Sequence, residues 1–211
     1  MNSSARRPFR LAYDTIKREL QAGDYTSMAQ LKASAIASRL GLSATPVREA
    51  LARLSGEHLI DDRRDQGYFV PALTGRHCGE LYWLQENCLA AGLAADLGAR
   101  RRLEGPAATG IDPAIASGAI KGLTEAIASL CFNHNLLVLV RNLNDRLAGV
   151  RRAEAELLPS TIRDDLTAAC IRADNAALRK AIHRYFGVCI RQADAIVDRV
   201  SSGRYYTDNI D

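Results

Sequence analysis

The chain has 211 residues, room for two modest domains with a core each. Hydrophobic residues at 47% and charged residues at 25% are the proportions of a globular protein, which excludes a disordered or collagen-like chain. The net charge is +4, and residues 1–75 carry eleven Lys and Arg against eight Asp and Glu, a mild basic bias that suits a nucleic-acid partner.

In chain order, residues 1–8 are polar and basic and are expected to form a disordered arm. Residues 9–22 follow as a helix with Ala12, Ile16 and Leu20 on one face. A short helix then ends at Leu40, Gly41 relieves a tight turn, and a second helix starts around Thr45. Ser43 or Thr45 is placed to cap it, and Pro46 sits in its first turn, where a missing N–H costs nothing. Val47, Leu51 and Leu54 repeat at helical spacing as a buried stripe, which leaves Ala44, Thr45 and Arg48 facing a partner. A helix-turn-helix that presents a helix N-terminus beside an Arg suits the DNA major groove; the plainer alternative is an αα-hairpin inside a helical core.

After the second helix, residues 59–62 and 68–71 read as two short strands around the polar turn Arg63-Arg64-Asp65-Gln66-Gly67. Directly after a helix-turn-helix such a hairpin is the wing of a winged-helix domain. Arg63 and Arg64 near its tip either reach phosphates and the minor groove or sit in a solvated turn.

From about Phe9 to Leu73 the chain resembles the DNA-binding domain of the GntR family of bacterial transcription regulators. The carrying residues are Leu31, Ile36-Ala37, Leu40-Gly41, Ser43 through Leu51, Arg53-Leu54 and Gly67-Tyr68-Phe69-Val70. The resemblance implies a DNA interface of Ser43, Ala44, Thr45, Arg48, Arg63, Arg64 and Gly67. Ala44 stands where the family usually has a base-contacting Arg, so base readout must lean on Thr45 and Arg48. An Arg forked onto guanine O6 and N7 contributes roughly 1–3 kcal/mol of discrimination, and Arg48 is the candidate for that role.

The chain divides near residues 71–79, giving expected domains of 1–75 and 76–211. Everything downstream reads as helix: 76 to about 102, 113–132, 134–156, 160–173 and 175–201, with breaks at Pro159 and Ala173-Asp174. Residues 105–110 read as a loop and 203–211 as a tail. The expected fold class is therefore mainly α, a winged helix-turn-helix followed by an all-α bundle. Five cysteines at 78, 88, 131, 170 and 189 form no CxxC pair, which points to reduced thiols in a cytoplasmic protein, with Cys88, Cys170 and Cys189 as buried filler. No secretory leader is expected, and the longest apolar stretch, near residues 136–140, is too short to span a membrane.

This helical half resembles the effector-binding FCD domain of the FadR subgroup of the same family. The carrying residues are Leu81-Tyr82, Leu84, Leu93-Ala94-Ala95, Glu125-Ala126-Ile127, Asn135, Leu136-Leu137, Ala169, Asp174 and Ala181-Ile182, and the stretch from Arg100 to Ile120 is shorter than the family's. Most FCD domains hold a metal with one Asp and three His. Here those positions fall on Ile120, Thr124, Arg163 and Tyr185, none of which is a family-type ligand, so no metal and no other cofactor is expected. Gln85 replaces a family Arg. Of the four histidines, His183 either flanks the pocket or is a surface residue; His58, His77 and His134 lie elsewhere.

An effector pocket of Gln85, Thr124, Arg163 and Tyr185 would offer donors, with Arg163 replacing the metal as the positive anchor for a carboxylate. The alternative is that Arg163 pairs with Asp164, Asp165 or Glu156 and the pocket has collapsed. Two functions stay open. One is a homodimeric regulator that binds double-stranded DNA at a palindromic operator and senses a small anionic metabolite such as an organic acid. The other is a regulator whose helical domain is only a dimerisation scaffold. The dimer expectation rests on Leu81, Leu84, Cys88, Leu136, Leu139 and Leu143, apolar positions that a small bundle leaves unburied. An enzyme is not expected, since no nucleophile–base pair, Gly-rich phosphate loop or HExxH occurs.

Overall fold

The computed structural model describes residues 3–95, 119–131, 133–172 and 174–204. The chain divides into two compact units, residues 1–73 and 74–211.

In the first unit, helix α1 spans Ser3–Ala22, β1 Gln30–Leu31, α2 Ala33–Leu40, α3 Ala44–Gly56, β2 Asp61–Arg63 and β3 Gly67–Phe69. Helix α1 begins at Ser3, so the backbone of residues 3–8 is helical and not an arm. Pro8 is accommodated inside it because its ring holds a helical φ and its missing N–H removes only one early bond. Ala12 and Ile16 are fully buried against the α3 stripe of Val47, Ala50, Leu51 and Leu54, also fully buried. Each such Leu, Ile or Val contributes roughly 1.5–3 kcal/mol by leaving water.

The sheet order is β1-β3-β2, all antiparallel, with Gln30 opposite Phe69 and Arg63 opposite Gly67. The strands are shorter than the expected runs, and β1 was not foreseen, because two residues carry no readable alternation.

In the second unit, α4 spans Gly75–Ala95, α5 Ile120–Leu130, α6 His134–Arg146, α7 Arg151–Leu157, α8 Ser160–Ile171, α9 Asn175–Arg191 and α10 Ala193–Arg204. Helix α4 packs on α9, α10, α6 and α5. Asn133 caps α6 by accepting from the Leu136 N–H at 3.1 Å, and Asp174 caps α9 by accepting from Ala176 and Ala177 N–H at 3.0 and 3.1 Å.

Two expected helices are broken. The 134–156 run is interrupted by a 3₁₀ turn at Ala148–Val150, around Gly149, a poor helix former. Leu143, Leu147 and Val150 stay buried straight through the break, so the apolar period did not reveal it. The 175–201 run breaks at Gln192, which lets Ala193 begin α10 against the start of α4. A Cβ added at Gly79 would meet the Ala193 Cβ at 3.8 Å, and one added at Gly75 would overlap Asp194.

The expected dimer face is also revised. Leu81 and Leu143 lie in this unit's own core, while Trp83, Val138 and Leu139 are the exposed apolar residues on α4 and α6. Cys78, Cys170 and Cys189 are buried and Cys88 only half-buried; burial pushes the Cys78 thiol up to about 11, which keeps it protonated. The expected loop at 105–110, the shortened stretch, the far end of the 76–102 helix and the start of the 113–132 helix lie outside the described residues, as does 205–211 of the expected tail.

Candidate nucleic-acid interface and helical-domain cleft

The turn between α2 and α3 is closed by backbone alone. Gly41 sits at φ 65°, the Leu42 N–H donates to Ala37 O at 2.9 Å and the Gly41 N–H to Ser38 O at 3.3 Å. These are the two bonds of a Schellman cap, and they need a left-handed residue at that position. Helix α3 ends the same way, with His58 at φ 58° and the Leu59 N–H on Leu54 O at 3.0 Å. Ser43 is the N-cap residue of α3 by backbone conformation, yet its hydroxyl makes no cap bond, and Thr45 lies inside the helix. Neither therefore caps α3, and the Ser43 side chain is left exposed.

Burial of the α3 stripe turns Thr45, Arg48, Glu49 and Ala52 outward on one helical face, with Ala44 half-buried beside them. The Arg48 guanidinium has no acceptor among the described residues. Arg53, by contrast, is tied to Glu57 at 2.7 Å. Glu57 also accepts from the Tyr13 hydroxyl at 2.6 Å and pairs with Lys17 at 3.5 Å, which locks α1 to the end of α3. On α2, Arg39 donates to both oxygens of Glu19 at 2.5 and 2.8 Å, and Tyr25 donates to Glu19 at 2.5 Å. The first of these bonds is the main reason the Glu19 carboxyl lies below its ordinary value. Lys17, Arg39 and Arg53 are thus engaged by carboxylates of the same unit, and the outward face of α3 keeps Arg48.

The wing turn is closed by the Gln66 N–H on Arg63 O at 2.9 Å, with Asp65 at φ 60° and Gly67 at φ 93°. Its two arginines differ. Arg63 stacks over the Phe69 ring at 4.3 Å and donates to Met28 Sδ at 3.2 Å, so it braces the hairpin. Arg64 is 96% exposed, with only a loose 3.9 Å approach to Asp65, and projects from the tip.

In the second unit a cleft of about 240 Å³ is lined by Ile120, Lys121, Arg151, Glu154, Ala155, Leu158, Pro159, Arg163 and Tyr185, with Ala119 and Ser160 at its edge. Arg163 and Tyr185 thus line one space. Gln85 and Thr124, both fully buried, are not among the lining residues. They belong to a polar core: Gln85 Nε2 donates to Asn144 Oδ1 at 2.9 Å, and Thr124 Oγ1 donates to Asn144 Oδ1 at 3.1 Å and to Ile120 O at 2.9 Å. Packing of α4, α5 and α6 satisfies these groups internally, which is why they are not pocket donors.

Sequence reasoning missed Arg151 and Glu154. Arg151 donates to Glu154 Oε1 and Oε2 at 3.0 and 2.8 Å, to Gln85 Oε1 at 3.2 Å and to Asn144 Oδ1 at 3.3 Å. The Tyr82 hydroxyl adds a 2.9 Å bond to Glu154. Their i,i+3 spacing was readable, but it looks like any surface pair; only the break at Gly149 turns it inward.

The Arg163 guanidinium has no acceptor among the described residues. The alternative partners are otherwise engaged or apart: Asp165 pairs with Arg184 at 2.7 Å and Glu156 with Arg199 at 2.8 Å. The Tyr185 hydroxyl likewise has no partner among the described residues, its ring resting edge-on against Phe186 at 5.2 Å. His183, on the same helix, is exposed and held by Glu86 at 2.7 Å, away from the lining. Ile120, Thr124, Arg163 and Tyr185, the positions where the resemblance places metal ligands, offer an alkyl group, a bonded hydroxyl, a guanidinium and a phenol, a donor set that does not suit a divalent ion.

Residues 10–70 match the family model for bacterial regulatory proteins of the gntR family. No curated protein matches the sequence. Among solved structures, E. coli McbR/YncC is similar at 22% identity and TM-score 0.55, over 91% of this chain and 97% of that one. A Rhodococcus sp. RHA1 protein described as a transcriptional regulator GntR is similar at 19% identity and TM-score 0.70, over 89% of this chain and 97% of that one. These two likenesses concern the fold. Among the described residues no helix is long and apolar enough to cross a membrane. Residues 10–70, a helix-turn-helix and wing whose outward Arg48 has no acceptor among the described residues, are thus the part of the chain that is similar to the bacterial regulatory proteins of the gntR family.

Proposed function

We propose that this chain is a GntR-type transcription regulator that binds a palindromic operator as a homodimer and that its helical unit senses a small anionic metabolite. Each recognition helix enters one half-site, with Arg48 on a base edge, Ser43 and Thr45 beside it and Arg64 on the phosphates. A two-fold operator matches a two-fold dimer, and exposed Trp83, Val138 and Leu139 provide apolar surface on the helical unit for self-association. The sensing half rests on one observation: Arg163 lines the cleft with no acceptor among the described residues, and a half-buried guanidinium in such a place favours an anion. One observation favours the scaffold reading instead. Gln85 and Thr124 are engaged with Asn144, and the terminal nitrogens of Arg151 with Glu154, Gln85 and Asn144, so much of the donor set is spent on stability.

Gel shifts with scrambled competitor test the DNA half. Arg48→Ala is expected to lower operator preference roughly 5- to 150-fold. Arg64→Ala should instead weaken operator and random DNA alike and lower the salt slope by about one. Unchanged preference in Arg48→Ala would remove that residue from base readout.

A further inference from the structure

The walls of the cleft are chemically unequal. Lys121 is held by Asp145 at 3.4 Å, and both terminal nitrogens of Arg151 are held by Glu154, Gln85 and Asn144, with its Nε alone left without a partner; among the described residues this leaves Arg163 as the lining cation with an open fork. Tyr185, whose hydroxyl has no partner among the described residues, lines the same cleft. The remaining walls described are mostly apolar, Ala119, Ile120, Ala155, Leu158 and Pro159, with the Ser160 side chain as a small polar exception. Glu154 also lines the space, with both oxygens already accepting from Arg151 and Oε2 from Tyr82.

From this asymmetry we infer that the cleft takes a monocarboxylate with a short apolar body, its carboxylate forked by Arg163 and bonded by the Tyr185 hydroxyl, its body against Ile120 and Leu158. The inference rests on the sensing reading above and narrows its ligand class. One open guanidinium matches one anionic group. A second carboxylate would find Lys121 and Arg151 already paired with Asp145 and Glu154, and would otherwise meet the Glu154 charge or an apolar wall, both of which oppose it. The hydroxyls of a sugar acid would lose water against Ile120, Leu158 and Pro159, with Ser160 the one small polar side chain among the described lining to offset it. The limited volume, about 240 Å³, keeps the body short.

Calorimetric titration of the full chain tests this with butyrate, pentanoate, hexanoate and phenylacetate, against succinate, galacturonate and neutral hexanamide. Affinity is expected to rise about fourfold per methylene from butyrate to hexanoate as each CH₂ is buried. Arg163→Met should weaken hexanoate roughly ten- to a hundredfold, the worth of a charge-assisted bond. Since Arg163 has no acceptor among the described residues, that variant should keep the wild-type unfolding midpoint. Leu158→Ser should flatten the chain-length trend while leaving butyrate little changed. Hexanoate binding that is unaltered by Arg163→Met overturns the assignment. If succinate or galacturonate binds as tightly as hexanoate and Arg163→Met abolishes that binding, the monocarboxylate class is wrong while sensing through Arg163 stands. If no acid binds the wild-type chain, both fall.

Discussion

Arg151→Met is expected to be among the most damaging single changes in the helical unit. The side chains of Arg151 and Glu154 are 17% and 3% exposed, which places the pair in the buried regime rather than among surface pairs that contribute about 0–1 kcal/mol. Removing one partner of a buried pair costs about 3–5 kcal/mol, because the other charge stays buried without compensation. Partial exposure of the arginine argues for the lower end, about 3 kcal/mol. Gln85 Oε1 also loses its Arg151 donor, worth roughly 1 kcal/mol more, whereas Asn144 Oδ1 keeps donors from Gln85 and Thr124. The total is about 4 kcal/mol. Adding Glu154→Gln removes the stranded charge and keeps an acceptor for Tyr82, so the double variant should lose only about half as much as Arg151→Met alone. Urea titration of the full chain, read by hydrogen exchange in peptides covering α4, α6 and α7, measures both on this unit. A loss below about 1 kcal/mol for Arg151→Met would refute the reasoning, because exposed-pair energetics would then apply. So would a double variant as unstable as the single one.

Two further outcomes concern the first unit. Gly41→Ala should destabilise the helix-turn-helix by about 1 kcal/mol through its left-handed φ alone, since an added Cβ meets nothing within 4 Å, and Gly41→Asn should cost less; exchange rates in α2 and α3 read this, and an unaffected Gly41→Ala domain would argue against the Schellman geometry. The Glu19 carboxyl is held below its ordinary 4.5 mainly by the Arg39 hydrogen bond, so its contribution is present above the unfolded value and is lost as pH falls through the folded one. Glu19→Gln should therefore lower protection in α1 and α2 at neutral pH and narrow its gap to wild type below about pH 4. A gap that widens in acid would contradict the sign.

Much of the DNA-binding half was legible because its determinants are local. A glycine able to take φ 65°, a proline placed where no N–H is needed, and an i,i+3/i+4 apolar stripe at Val47, Leu51 and Leu54 each act within a few residues. The same pattern read outward gave the exposed face of Thr45 and Arg48. It could not say that Arg63 would stack on Phe69 while Arg64 stayed in solvent, since that depends on cross-strand packing.

In the helical half, Pro159 and Asp174 marked helix boundaries by local chemistry alone, a fixed φ and a side-chain cap, whereas the breaks at residues 148–150 and at Gln192 were invisible. Apolar side chains continue in helical phase through the first break, and the second follows from small residues on α4 meeting Ala193. The polar core shows the same division. Gln85 and Asn144 are 59 residues apart in sequence, and Gln85 and Arg151 are 66 apart. No local rule links them. By itself the sequence determined which residues carry charge, which helices form and which turn can close. Whether a given charge ends up neutralised, as at Arg151, or left open to a cleft, as at Arg163, was decided only by tertiary packing, because a polar group's partners depend on which distant elements meet and exclude water around it.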